Sequence, residues 1–345
     1  MLSATLQASL ILLTSISTAT LPCNVPVFRY ALERWPSDDY QLVVYHKGQL
    51  PEQADKDLRK IEASVASSKA ENSGDSKLCN LSVVRIDVAG MPSESPDPRT
   101  QELLKLWKSE RFQQSLEKPF VELRTAPISG RSLVVWSGEL SAWDSAVILA
   151  SPVRTQLCQN LMRGDAIVWL MIRSKDDAKN AAARKVLVEK NKDLSQQIEL
   201  PDGIGLPGSE LFSEVPLLLD FTIAEVNRDD AKEQFLLSLF RRFDAQAFDS
   251  DEPLFIPVFG RGRALEVIPA SRLDAGMIGD LTAFLCGACS CQVKERNPGF
   301  DLLLTMPWQE KLFGAGPYPP PPDVGLGSRS QELKMRQIPG GKSAK

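Results

Sequence analysis

Histidine is nearly missing from this chain: its 345 residues include one, His46. That excludes a two-histidine metal site, an H-E-x-x-H helix and any histidine relay that does not pass through His46. No charge sign dominates, with 40 Lys+Arg against 44 Asp+Glu, so binding to nucleic acid or another polyanion has no electrostatic footprint. No Ser/His/Asp set, phosphate loop or carboxylate pair stands out, and the sequence leaves open whether the protein is an enzyme. What is present is ordinary globular material, 43% hydrophobic and 24% charged. At ~150 residues per domain the length suggests two compact domains.

The ends differ from the middle. Residues 2–20 carry no charge, hold an apolar stretch over 6–16 and pass through Ser17, Thr18 and Ala19 to the helix breaker Pro22. This is the pattern of a signal peptide over 1–20, without its basic start, since the first basic residue is Arg29. It predicts export to the periplasm or medium, with another envelope protein as the expected partner. The alternatives are tethering by an uncleaved leader and an ordinary buried first element, because the run is short for a bilayer of ~30 Å. Pro22 directly before Cys23 makes a poor lipidation site. At the other end, 314–345 contains Pro317, Pro319, Pro320, Pro321 and Pro322, then Gly, Ser, Lys and Arg, the composition of a disordered spacer. Asn80-Leu81-Ser82 is a formal glycosylation sequon, a triplet that chance also supplies.

Between the ends the apolar spacing alternates between helix and strand periods. In the first half it predicts a helix over 25–35, a strand over 41–46, a helix over 51–67 and a strand over 81–88. An amphipathic helix over 100–112 follows, then hairpin strands over 120–125 and 132–136 and one long helix over 142–162. The second half repeats the order with strand 167–173, helix 178–197, strand 217–226, helix 231–243, hairpin strands 254–259 and 264–268, and helix 278–285. Lys118-Pro119-Phe120-Val121 corresponds to Glu252-Pro253-Leu254-Phe255, and Leu157-Cys158 to Leu285-Cys286, which supports a duplication. The expected fold is α/β: two β-α-β-α-β-β-α units over 21–164 and 165–313, each with a mixed sheet, helices on both faces and the hairpin as antiparallel edge.

This order resembles the thioredoxin-like fold, twice in tandem. The resemblance implies a Cys-x-x-Cys pair at the start of the helix after the first strand of each unit, where the helix N-terminus lowers a thiol pKa. Those places read His46-Lys47-Gly48-Gln49-Leu50-Pro51 and Arg173-Ser174-Lys175-Asp176, so disulfide exchange at the usual position is absent from both units. It also implies a cis-proline before each hairpin, with Pro119 and Pro253 as candidates. The blocks at 22–35 and 286–295 are similar to segments of exported proteins of planctomycete-type bacteria, a group without an established activity.

The most specific chemical feature is Cys286-Gly287-Ala288-Cys289-Ser290-Cys291. Three thiols within six residues can converge on one thiophilic metal ion or iron–sulfur cluster, with Cys158, by the repeat argument, as fourth ligand. Structural disulfides are the competing reading, since six cysteines allow fifteen pairings. A redox-active Cys286–Cys289 pair is a third, although too little chain follows Cys289 to build another unit around it. Gly203-Ile204-Gly205-Leu206-Pro207-Gly208 matches G-x-G-x-x-G only formally, because Pro207 interrupts the helix that a dinucleotide site needs. Arg261 and Arg263 at a hairpin turn could hold a carboxylate or phosphate, or simply be solvated. His46 is a strand-end residue without a nameable partner. Asp176-Asp177 and Asp229-Asp230 read as helix caps, and Trp35, Trp107, Trp136, Trp169 and Trp308 as core. Two functions remain: a thiol-based metal-binding or redox-accessory protein, and a non-catalytic interaction module stapled by disulfides.

Overall fold

The computed structural model describes residues 24–66, 77–89, 98, 101, 102, 105, 116–127, 132–289 and 293–314. The expected leader, Cys23, most of the helix expected over 100–112, Cys291 and the proline-rich segment after Gly314 lie outside the described residues.

The β-branched and aromatic run Tyr-Gln-Leu-Val-Val-Tyr-His forms β1 (Tyr40–His46), as such residues favour a pleated, half-buried surface. It pairs in parallel with β2 (Leu81–Asp87), from Tyr40 against Leu81 to His46 against Asp87. The crossover between them is α2 (Glu52–Val65), which buries Leu58, Ile61 and Val65 on one stripe. Before β1 stands α1 (Val27–Arg34). β3 (Phe120–Arg124) runs antiparallel to β1, and β4 (Val134–Glu139) antiparallel to β3, giving the order β2-β1-β3-β4.

The long helix expected over 142–162 is broken into α3 (Ser145–Ile148) and α4 (Pro152–Arg163). Asp144 accepts from the backbone of Ala146 and Ser151 from that of Arg154, with Pro152 in the first turn, so two helix starts interrupt one apolar periodicity. The carboxylate of Glu233 completes the start of α4, accepting from Val153 N at 2.8 Å and from the Ser151 hydroxyl.

In the second sheet β5 (Ile167–Arg173) and β6 (Phe221–Asn227) are parallel, joined by α5 (Asp177–Gln197). After β6 come α6 (Gln234–Phe243) and α7 (Ala245–Asp249). β7 (Leu254–Phe259) is antiparallel to β5. The strand expected over 264–268 is split into β8 (Arg263–Ala264) and β9 (Ile268–Pro269), both paired with β7. α8 (Ala275–Cys286), β10 (Phe300–Asp301) and α9 (Trp308–Phe313) follow, and the order is β10-β8-β7-β5-β6. Asp176 and Asp230 accept from free backbone amides at helix starts, as their positions suggest. Among the described residues no peptide bond is cis, so neither Pro119 nor Pro253 adopts the isomer that the resemblance implied. Nor, among them, is any helix long and apolar enough to cross a membrane.

The halves share their main core, and only a small cluster of Val43, Tyr45 and Ile86 belongs to the first half alone. One cluster joins Leu42, Val44, Leu58 and Leu123 of the first half to Val168, Leu170, Ile172 and Phe240 of the second. The opposite face of the second sheet, with Ile167, Trp169, Met171 and Phe255, packs with residues of α1, α5 and α8. Alternate residues of β5 thus face two different cores, as a strand covered on both sides requires.

Asn80 fastens the halves together. It is 8% exposed. Its Nδ2 donates to the carbonyls of Asp38 (2.9 Å) and Leu302 (3.0 Å), and its Oδ1 accepts from Leu304 N (2.8 Å). The sequon asparagine is therefore a structural hub whose amide is fully engaged.

Candidate functional site

The thiols carry the chemistry that the sequence leads one to expect. Cys286 and Cys289 are buried together in the cluster beneath α1, α5 and α8. The chain between them forms a clamp: Val27 N donates to Gly287 O and Cys289 N to Val25 O, each at 3.0 Å, with Pro26 bridged to Ala288. Burial pushes the Cys286 thiol up to about 12, which leaves about one in 10⁵ ionised at pH 7. Cys158 lies in α4 and packs, like Cys79, in the core between the two sheets. The second sheet stands between Cys158 and the Cys286–Cys289 pair. Burial raises Cys79 to about 11 and Cys158 to about 12. Cys79, Cys158 and Cys286 are free thiols, and among the described residues no three His, Cys, Asp or Glu side chains gather as a metal would require.

The strand ends where the thioredoxin-like fold would place its reactive pair are closed by internal bonds. At the end of β1, His46 Nδ1 donates to Gly48 O at 2.8 Å and Gly48 N donates to Asp87 at 2.8 Å. At the end of β5, Ser174 N donates to Asn180 Oδ1 (2.8 Å) while Asn180 Nδ2 donates to Ser174 O (2.9 Å). The hairpin arginines are engaged as well. Arg261 donates to the carbonyls of Leu32 (2.8 Å) and Glu33 (2.9 Å), satisfying the last turn of α1, and burial lowers its guanidinium to about 10. Arg263 holds Asp301 at 3.0 Å and the carbonyls of Asn297 and Pro298. Both side chains are taken up by internal acceptors, Arg263 buried and Arg261 half-buried.

An open site lies elsewhere. A groove of about 530 Å³ runs along β6, between α4 and α5, within the size range of ligand sites (~300–1,000 Å³). Its floor is 219–223, leading into the strand at the end of the second sheet. One wall carries Asn160 and Arg163, the other Val188, Asn191 and Lys192. Asn160 Nδ2 donates to the Thr222 hydroxyl (3.1 Å), which donates to Asp165 (2.6 Å), and Asp165 also takes Arg163 (2.7 Å). Arg184, on the same wall as Asn191, pairs with Glu225 at 2.9 Å.

No family model, curated protein or solved structure matches this chain. The groove therefore stands on its own chemistry.

Its decisive member is Asn191, which is 6% exposed and has no hydrogen-bond partner at Nδ2 or Oδ1. The other two buried asparagines of the described residues, Asn80 and Asn180, use both ends of their amides. An unpaired buried amide costs roughly 1–3 kcal/mol, and in Asn191 both the donor and the acceptor of one side chain are left unused. Its signal in the sequence was its place on the apolar stripe of α5, between the buried Leu187 and Leu194.

Proposed function

We propose that the protein is a non-catalytic interaction module, built from two thioredoxin-like units that share one core, and that Cys79, Cys158, Cys286 and Cys289 do no thiol chemistry. The sheet orders β2-β1-β3-β4 and, in the second half, β6-β5-β7-β8 support the fold reading, each with a parallel first pair and an antiparallel third strand. The observation that carries the functional reading is the burial of Cys286 and Cys289 behind the clamp at 25–27. A reactive nucleophilic thiol is partly exposed and readily ionised, and Cys286 is buried with its thiol pushed up to about 12. The uncharged leader pattern at 1–20 supports placing this module outside the cytoplasm, where the partner is another envelope protein.

The experiment is a redox equilibration of the full chain in glutathione buffers, with the oxidation state of each cysteine read by mass spectrometry. The proposal expects Cys286 and Cys289 to stay reduced and unglutathionylated across the range in which the folded state persists. Reversible formation of a Cys286–Cys289 disulfide in the folded protein would replace it with a redox role.

A further inference from the structure

We propose that the groove along β6 binds an extended peptide segment of a partner protein, which adds as a strand to the open edge of the second sheet and is held by the Asn191 carboxamide. The inference rests on the interaction-module reading and names its surface and the chemistry of its ligand.

Three observations converge. β6 ends the sheet order, paired with β5 on one side and with no strand on the other among the described residues. An edge strand presents a row of backbone donors and acceptors, which natural proteins usually cover or blunt. Beside this edge stands a side-chain amide with both a donor and an acceptor unused. A carboxamide is the complement of a peptide group, since it can accept one N–H and donate to one carbonyl. Lys192 makes no ion pair among the described residues, whereas Arg163 and Arg184 each have an acid of their own. One acidic side chain on the ligand would therefore find its counterpart at Lys192, beside the 40% exposed Val188.

The shape of the site selects among occupants. The edge is recessed between α4 and α5, so a second sheet flanked by its own helices is too thick to reach it, and a lone extended chain is not. The walls end in long exposed side chains, Arg163, Arg184 and Lys192, whose rotamers can swing aside to open the way to the amide. This is strand addition, in which main-chain bonds supply affinity and side-chain contacts supply selectivity.

The test is a phage-displayed library of random dodecapeptides panned on the full chain, followed by synthesis of the enriched sequences. The expected result is a family of alternating sequences carrying an acidic residue. Their binding should weaken at least tenfold in Asn191→Leu and in Lys192→Glu, disappear when alternate peptide nitrogens are methylated, and protect the amides of 221–227 from hydrogen exchange. Absence of enrichment, affinity unchanged in Asn191→Leu, or protection confined to another surface would each overturn the proposal. So would a tenfold gain in affinity on truncation after Gly314, which would make the chain's own end the occupant. A dimer that Asn191→Leu abolishes and that no peptide competes would assign the edge to a second copy instead. The glutathione experiment judges the module reading separately: peptide panning can fail with inert thiols, and the thiols can prove active with the groove intact.

Discussion

Replacing Asn80 by alanine should loosen the joint between the two sheets. The side chain makes three hydrogen bonds of 2.8–3.0 Å, all to backbone groups. Two of them hold Leu302 and Leu304, which are 0% and 1% exposed. Alanine leaves the Leu304 amide and the Leu302 carbonyl without partners in a dry setting, where each orphan costs roughly 1–3 kcal/mol, and the third bond adds about 1 kcal/mol. A total of about 3–7 kcal/mol follows, well outside the ~0.5 kcal/mol of an ordinary surface change. Urea denaturation of the full chain, followed by tryptophan fluorescence and far-UV dichroism together, should give a lower midpoint. Because the core is shared, the two probes should move together. Asn80→Asp should fare no better, since it keeps the acceptor for Leu304 and turns an anion toward two carbonyls. A loss below about 1 kcal/mol, or two separate transitions in the wild type, would refute the reasoning that Asn80 ties the halves into one cooperative unit.

Three further outcomes follow from the same geometry. Asn191→Leu should raise stability by about 1–2 kcal/mol in urea denaturation, because it removes an unpaired buried amide; a destabilised variant would mean that the amide is satisfied. Gly260 has φ +59 and a Cβ there would stand 2.6 Å from that of Ala31, so Gly260→Ala should cost about 2 kcal/mol or more, as a thermal melt would register. Burial raises the thiols of Cys79, Cys158 and Cys286 from 9.0 to about 11, 12 and 12. A folded pKa above the unfolded one gives stability that is whole below the unfolded value and lost as pH rises through the folded one. The urea midpoint should therefore hold from pH 7 to about 8.5 and fall steadily between about 9 and 12. A midpoint that stays level to pH 11 would contradict the burial of these thiols.

The strands were the most legible part of the fold. β5 lies where its continuous apolar run predicts, and β1 begins one residue earlier than expected, since a strand covered on both faces leaves little room for ambiguity. The break between α3 and α4 had a local signal, Ser151 before Pro152, that the apolar periodicity outweighed. The shared core was not legible at all: that Leu42 and Val168 meet in one cluster is a tertiary fact with no local cause. The three thiols at 286, 289 and 291, where α8 ends, were conspicuous by spacing alone, and spacing says nothing of burial. Asn191 had the opposite fate: its place on the apolar stripe between Leu187 and Leu194 was legible, but the lack of a partner for its amide is a tertiary fact.

The most direct test of the central claim is a thiol titration of the full chain in a Cys23→Ser, Cys291→Ser background, so that only the four described cysteines respond, with metal content measured in parallel on the chain that keeps all six cysteines. An inert module predicts no reaction of Cys79, Cys158, Cys286 and Cys289 while folded, four thiols after unfolding, and no stoichiometric metal. Rapid reaction of Cys286 and Cys289 in the folded protein, or one bound metal per chain that a further Cys289→Ser removes, would contradict the account and return the cluster to chemistry.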